Sequence, residues 1–330
     1  MTGPYVLALD VGSSSVRAIL YDSTAQPVEG LRAQQSYTFK TGQDGRSEVA
    51  VESVLEAIGV CLDEVASRLP NETIGVALAT FVGSLLGIDA EGTPITPLIT
   101  YADTRASDSV PHLQATLDEA DVHQRTGCYL HAAYWPARLL WLHEHRLGLK
   151  PARWVTLGEY IELTLFGTAR VSFSAASWNG LLNRYTLTWD EKLLNVLPVT
   201  RAQLSPLVER DQPQTELREP YAQRWPALGR IPWFPAVGDG AAANIGMGCT
   251  TEGQVAISIG TSSAVRTVMA SAEGALPQGL WCYRVDASRG LLGGALSDGG
   301  NVYAWLSATL ADAAPLPAVQ PDGHGLTVLP

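Results

Sequence analysis

Asp10 stands just before a glycine and three hydroxyls, in the run Leu9-Asp10-Val11-Gly12-Ser13-Ser14-Ser15-Val16-Arg17. A glycine at a strand end lets the backbone approach a ligand closely, and the amides and hydroxyls after it form a concave donor surface suited to phosphate oxygens. A carboxylate at that strand end offers the oxygen ligand that Mg2+ prefers, or else it only caps the turn. The same plan recurs downstream as Ser258-Ile259-Gly260-Thr261-Ser262-Ser263-Ala264-Val265-Arg266. One such turn is ordinary hairpin punctuation. Two copies, each opening a block of strands, read as two related half-domains with one phosphate chain held between them.

Gly238-Asp239-Gly240-Ala241-Ala242 sets another carboxylate between glycines, ahead of small residues that open a helix. There Asp239 can take the proton of an attacking hydroxyl in phosphoryl transfer, or serve as an N-cap. Tyr101-Ala102-Asp103-Thr104-Arg105 carries a carboxylate and a guanidinium two positions apart. An extended segment would turn both to one face, to bind sugar hydroxyls or a substrate carboxylate, or to pair at the surface. The Trp-rich helices read as core, with Trp178 beside Asn179 as a candidate cleft residue.

The elements that must position these groups follow from periodicity. Strands are expected at 5–10, 16–21 and 28–37. Apolar Val51, Val54, Leu55, Ile58, Leu62, Val65, Ala66 and Leu69 then mark one face of a helix over 51–69. Strands return at 74–80 and 85–88, giving a mixed sheet covered by helices. The chain is helical and aromatic from 106 to about 204, and Pro-rich from there to Pro235, where we place a boundary between domains 1–235 and 236–330. Strands resume at 255–259, 264–268, 279–285 and 291–293, and a helix follows at 301–310. This second domain is expected to be incomplete.

The 330 residues suit about two domains. With 46% hydrophobic and 17% charged residues, the chain is globular and not disordered. A net charge of −11 with only 22 Lys and Arg argues against nucleic acid or an anionic membrane surface as partner. Cys61, Cys128, Cys249 and Cys282 form no CxxC or Cys/His metal pattern and read as free thiols in a reducing compartment. No apolar run reaches spanning length and no signal peptide is visible, so a cytoplasmic location is expected.

With these motifs in this order, the chain resembles the FGGY family of carbohydrate kinases, within the actin-like, Hsp70-like, sugar-kinase superfamily, over essentially its whole length. Tyr101-Ala102-Asp103-Thr104-Arg105, Gly127-Cys128-Tyr129-Leu130-His131 and Pro136-Ala137-Arg138-Leu139-Leu140-Trp141 look most like the gluconokinase branch. The resemblance implies an α/β fold of two RNase H-like domains around a cleft that holds ATP and Mg2+. It also implies transfer of the γ-phosphate to a hydroxyl of a sugar or sugar acid.

Asp239 is then the general base, and Asp10 and Asp239 are the metal-proximal carboxylates. Asp10, Gly12, Ser13, Ser14, Ser15, Arg17, Gly260, Thr261 and Ser262 match the nucleotide side. Phe81, Val82, Gly83, Asp103 and Arg105 join Asp239 on the sugar side. A homodimer is compatible with this reading. Two departures stand out. Val82-Gly83 replaces a Trp-His pair common near this branch, and family members run further in length. A non-catalytic sugar-binding or regulatory protein is therefore the alternative; a chaperone-like ATPase would leave the Asp-Thr-Arg segment unexplained.

Overall fold

Strict alternation builds the first strand. In β1 (Tyr5–Val11), Tyr5, Leu7, Leu9 and Val11 are buried on one face and Asp10 points to the other. The computed structural model describes residues 3–145, 148–259, 263–296 and 299–309. β1 pairs antiparallel with β2 (Ser15–Tyr21), Asp10 opposite Arg17, and β2 with β3 (Pro27–Ser36). The next long element, α1 (Val51–Ala66), lays Val51, Val54, Ile58, Leu62 and Val65 against β2 and β3. Each such side chain contributes about 1.5–3 kcal/mol by leaving water.

After α1 the chain returns as β4 (Thr73–Thr80), parallel to β1 with Ala79 beside Asp10. A parallel return needs a crossover, and α1 lies within it. The sheet closes with β5 (Val237–Gly238), parallel to β4, with Gly238 beside Thr80. The order is β5-β4-β1-β2-β3, the meander plus parallel strands expected of an RNase H-like domain.

Between β4 and β5 lies a helical insert with α2 (Trp135–His145), α3 (Leu157–Phe166) and α4 (Phe173–Ser177). A reciprocal Thr156–Glu159 capping box starts α3, and Gly167 ends it in the left-handed region. The insert has a core of its own around Trp135, Leu139, Trp154 and Trp189. It is less purely helical than its composition suggests: Val171–Ser172 pairs with Leu207–Val208 as a small parallel ladder.

The helix α5 (Asp239–Gly246) leads from β5 to a second sheet. This has β6 (Val255–Ile259), β7 (Ser263–Met269), β8 (Trp281–Arg284) and β9 (Gly290–Leu296), antiparallel throughout in the order β6-β7-β9-β8. The expected boundary between 235 and 236 thus falls ahead of a strand that belongs to the first sheet. Parallel strands like β4 and β5 have no counterpart in the second sheet among the described residues.

The second sheet is fastened to the insert along β8 and the loop before it. Cys282 donates its N–H to Gly127 O at 3.0 Å and Arg284 to Ser177 Oγ at 2.8 Å. Gln124 exchanges two bonds with Leu276, each 3.0 Å, and buried Arg184 donates to the carbonyls of Ala272 and Gly274. The tightest approach is at Gly127, a helix C-cap with φ +76° whose added Cβ would overlap Cys282 O. Gly30 has a similar φ of +74° but open space around it. Gly127→Ala should therefore cost about 2–4 kcal/mol in urea unfolding, against about 1 kcal/mol for Gly30→Ala. Equal costs would show that the contact with β8 is not tight.

Candidate active-site cleft

The parallel strands β1, β4 and β5 end at one edge of the sheet, and open α/β sheets bind ligands beyond such carboxyl ends. Register puts Asp10 beside Ala79 on β4, one residue short of the Thr80–Gly238 pair, and Asp239 follows Gly238 directly. Two carboxylates distant in sequence therefore share this edge. Asp239 Oδ1 accepts the Gly240 N–H at 2.7 Å. Burial pushes the Asp239 carboxyl up to about 6; the Gly240 amide pulls it down, the Asp10 charge adds to the rise, and Arg266 opposes it. Burial also raises Asp10, against the pull of Arg17 at 3.4 Å.

The hydroxyl turn after Asp10 is braced from within and from outside. Gly12 N–H donates to Ser15 O at 3.0 Å, Phe81 N–H to Val11 O at 2.8 Å and Tyr37 N–H to Ser14 O at 3.1 Å. The Tyr37 hydroxyl donates to Gly12 O. Burial, with the charge of Asp10 and the nearness of Tyr101 and Asp239, holds that hydroxyl far above the ordinary phenol range, so it remains a donor. Ser13 is half-buried and Ser14 exposed at the turn's tip, and Arg17 is exposed. Ser15 differs from the expectation: it is 4% exposed, and its Oγ accepts from Gln34 Nε2 at 3.3 Å. It shares its face of β2 with exposed Arg17, so its burial comes from neighbours such as Gln34 on β3 and not from strand alternation. Gly260, Thr261 and Ser262 of the repeat lie outside the described residues; the hairpin that carries them is set by the Ile259–Ser263 pair.

The expected sugar-side residues divide. Phe81 is 1% exposed and packs edge-on to Phe39 at 5.4 Å, so its ring belongs to the core and not to a binding surface. Val82 leans on the start of α5, its Cγ1 2.8 Å from where a Cβ on Gly238 would sit. Gly83 O accepts from Arg138 Nη1, and the same buried guanidinium takes Ala132 O at 2.9 Å. Burial pulls Arg138 down to about 10, which leaves it charged at neutral pH.

Asp103 and Arg105 are not on an extended segment. They sit in a turn that runs into the short 3-10 helix Arg105–Ser109. Arg105 Nη2 lies 2.7 Å from Asp103 and 3.0 Å from Glu48, with its guanidinium over Trp141 at 5.0 Å. Asp103 is 3% exposed and also accepts Ser47 N–H at 2.9 Å. The pair is buried, not a surface one, and the Asp103 oxygens are committed to fixing the loop.

An aromatic pile closes the cleft where the two sheets meet. Trp178, just past α4, stacks on Tyr283 at 3.6 Å, and Tyr283 stacks on Trp281 at 4.4 Å. The Tyr283 and Tyr134 hydroxyls are bonded at 2.6 Å. Trp178 lies against α5: a Cβ on Gly238 would fall 2.6 Å from its Nε1, and one on Gly240 3.0 Å from its ring. Gly238 and Gly240 are thus the bare surface on which the indole rests. Tyr37, Tyr283 and Arg266 were not singled out from sequence. No spacing motif marks Tyr37 or Tyr283, whereas Arg266 was visible as the last residue of the repeat.

The chain is similar to known proteins over most of its length. The model of the N-terminal domain of the FGGY family of carbohydrate kinases matches residues 5–246. A gluconokinase of Bacillus subtilis (strain 168) is 26% identical over 305 residues, covering 92% of this chain and 59% of that protein. A xylulose kinase of Lactococcus lactis is 27% identical, covering 79% of this chain and 52% of that protein. Among solved structures, a gluconate kinase from Lactobacillus acidophilus superposes with a TM-score of 0.86 at 24% identity, over 94% of this chain and 63% of that one. The fold is that of the actin-like sugar kinases, and the chain spans less than two thirds of the length of these relatives.

Opposed carboxylates make a direct prediction. Carboxyl 13C NMR should show Asp239 titrating near 6, and Asp10→Asn should lower that value by removing a like charge. An Asp239 value indifferent to Asp10→Asn would mean that the two groups do not face each other.

Proposed function

Because this chain belongs to the FGGY family of carbohydrate kinases, we propose that it takes part in transfer of the γ-phosphate of ATP to a hydroxyl of a sugar or sugar acid, with a gluconate-like acceptor. The observation that carries this reading is the shared edge of Asp10 and Asp239 beside an accessible hydroxyl turn. Asp239 is the general base. A carboxyl raised toward 6 still ionises at neutral pH, yet it is basic enough to accept the acceptor's proton as the hydroxyl attacks. Ser13 and Ser14, on a turn that Tyr37 holds still, offer amides and hydroxyls to phosphate oxygens. Positioning and charge stabilisation do most of the work in such a transfer.

The residues fit Mg2+. Asp10 and Asp239 are hard oxygen donors, both partly exposed at one edge, and this ion is commonly held by one or two carboxylates together with water and substrate phosphates. When bound, it neutralises phosphate charge. Among the described residues no group of three or more His, Cys, Asp or Glu gathers as an all-protein metal cage. We further infer a reducing, cytoplasmic setting from the free cysteines. No helix among the described residues is long and apolar enough to cross a membrane.

Asp239→Asn tests the assignment. ADP release, followed with a panel of polyols and sugar acids, should fall by about 10^2- to 10^4-fold in kcat while acceptor affinity changes little. Unchanged turnover would remove Asp239 as the base.

A further inference from the structure

The two copies of the Gly-hydroxyl hairpin differ in one exchange that changes what the second can bind. In the first hairpin Arg17 reaches a carboxylate of its own strand pair, Asp10. In the second, Ser258 stands where the repeat would place Asp10, and Arg266 Nη1 donates to its Oγ at 3.2 Å. A hydroxyl satisfies one N–H but does not neutralise the charge. Arg266 has no carboxylate within ion-pair distance among the described residues, and its Nε is buried without a partner.

Its location is specific. Arg266 lies on the inner face of β7, with Nε 3.5 Å from the position of a Cβ on Gly240 and close enough to Asp239 to affect it electrostatically. The other orphan donor at this spot is Trp178 Nε1, also buried without a partner and set against Gly238. A partly desolvated cation and an unused indole N–H thus flank the residues on either side of Asp239. Buried donors left unpaired cost about 1–3 kcal/mol each, which a ligand carrying the matching acceptors relieves. A planar two-oxygen anion suits a guanidinium best.

We propose that Arg266, assisted by Trp178 Nε1, binds the carboxylate of an acidic acceptor, so that the site selects sugar acids over neutral polyols. The inference rests on the kinase reading only for placing the acceptor beside Asp239. Arg266 is a specificity-determining residue in this account, and the hydroxyl at position 258 is what leaves its charge available.

Titration calorimetry on the full chain, with D-gluconate and with D-glucitol, tests this, because the two differ only in carboxylate against hydroxymethyl at one end. The wild type should bind gluconate at least tenfold more tightly. Arg266→Met should weaken gluconate binding by about tenfold to a hundredfold and glucitol binding by less than twofold, with Arg266→Lys restoring part of the loss. Trp178→Phe, which keeps the stack and removes the N–H, should weaken gluconate binding by a smaller factor. Equal loss of both ligands in Arg266→Met would assign Arg266 a structural role and overturn the proposal, as would unchanged gluconate binding.

Titration with ATP–Mg2+ separates the other source of an anion. Loss of nucleotide binding with gluconate retained would place a phosphate on Arg266 and also overturn it. Gluconate binding that depends on Arg266 without any phosphoryl transfer would sink the kinase reading and leave this one standing. Transfer to glucitol and gluconate alike, unaffected by Arg266→Met, would do the reverse.

Discussion

Strand β5, two residues long, holds the site together. Its parallel pairing with β4 sets Gly238 beside Thr80 and so delivers Asp239 to the edge where β1 delivers Asp10. Bringing two carboxylates to one partly buried edge costs desolvation first and mutual repulsion second, and the raised Asp239 carboxyl records both. Few local contacts oppose it, since a two-residue ladder supplies little by itself. The surroundings must hold the strand in place. Ser174 Oγ accepts Gly238 N–H at 3.2 Å, and Ser172 Oγ donates to Ala236 O at 2.5 Å, so the insert grips β5 on both sides.

The aromatic pile has the same purpose from above. Trp178 can lie flat against α5 only because positions 238 and 240 carry no side chain. Its stacking on Tyr283 then joins α5, which begins at Asp239, to the second sheet. The glycines flanking Asp239 are accordingly more than a flexible frame for a carboxylate. They are a seat, and the indole in that seat couples the first sheet, the insert and β8. Core clusters within each lobe supply the stability against which this arrangement is held.

Short-range patterns made much of this legible in the sequence. The alternation of β1, the apolar stripe of α1 and the glycine-hydroxyl spacing all depend on neighbours within a few residues, and each element stands within a few positions of where it was expected. What escaped depends on partners far away in the chain. Asp103 and Arg105 meet Glu48 and Ser47 across more than fifty residues, which turned an expected open pair into a buried brace. Phe81 follows a strand directly, where a ring can face cleft or core equally well, and Phe39 draws it to the core. Proline density suggested a break at 235, but composition cannot reveal that the next residues still pair with β4. Tyr37 carried no pattern, because its hydroxyl reaches a carbonyl 25 positions back.

The fastening of β8 to the insert has a mechanical consequence. In the order β6-β7-β9-β8, the anchored strand is one margin of the sheet and the β6–β7 hairpin occupies the opposite one. Three strand spacings separate them, ~14 Å at ~4.8 Å each. A tilt of ~10° about β8 would carry β6 through ~2.5 Å at the spacing just given. That travel is about the difference between a hydrogen bond and a water-filled gap. In such a tilt β6 would travel furthest, while Trp178 and Tyr283 sit near the pivot, where motion is smallest.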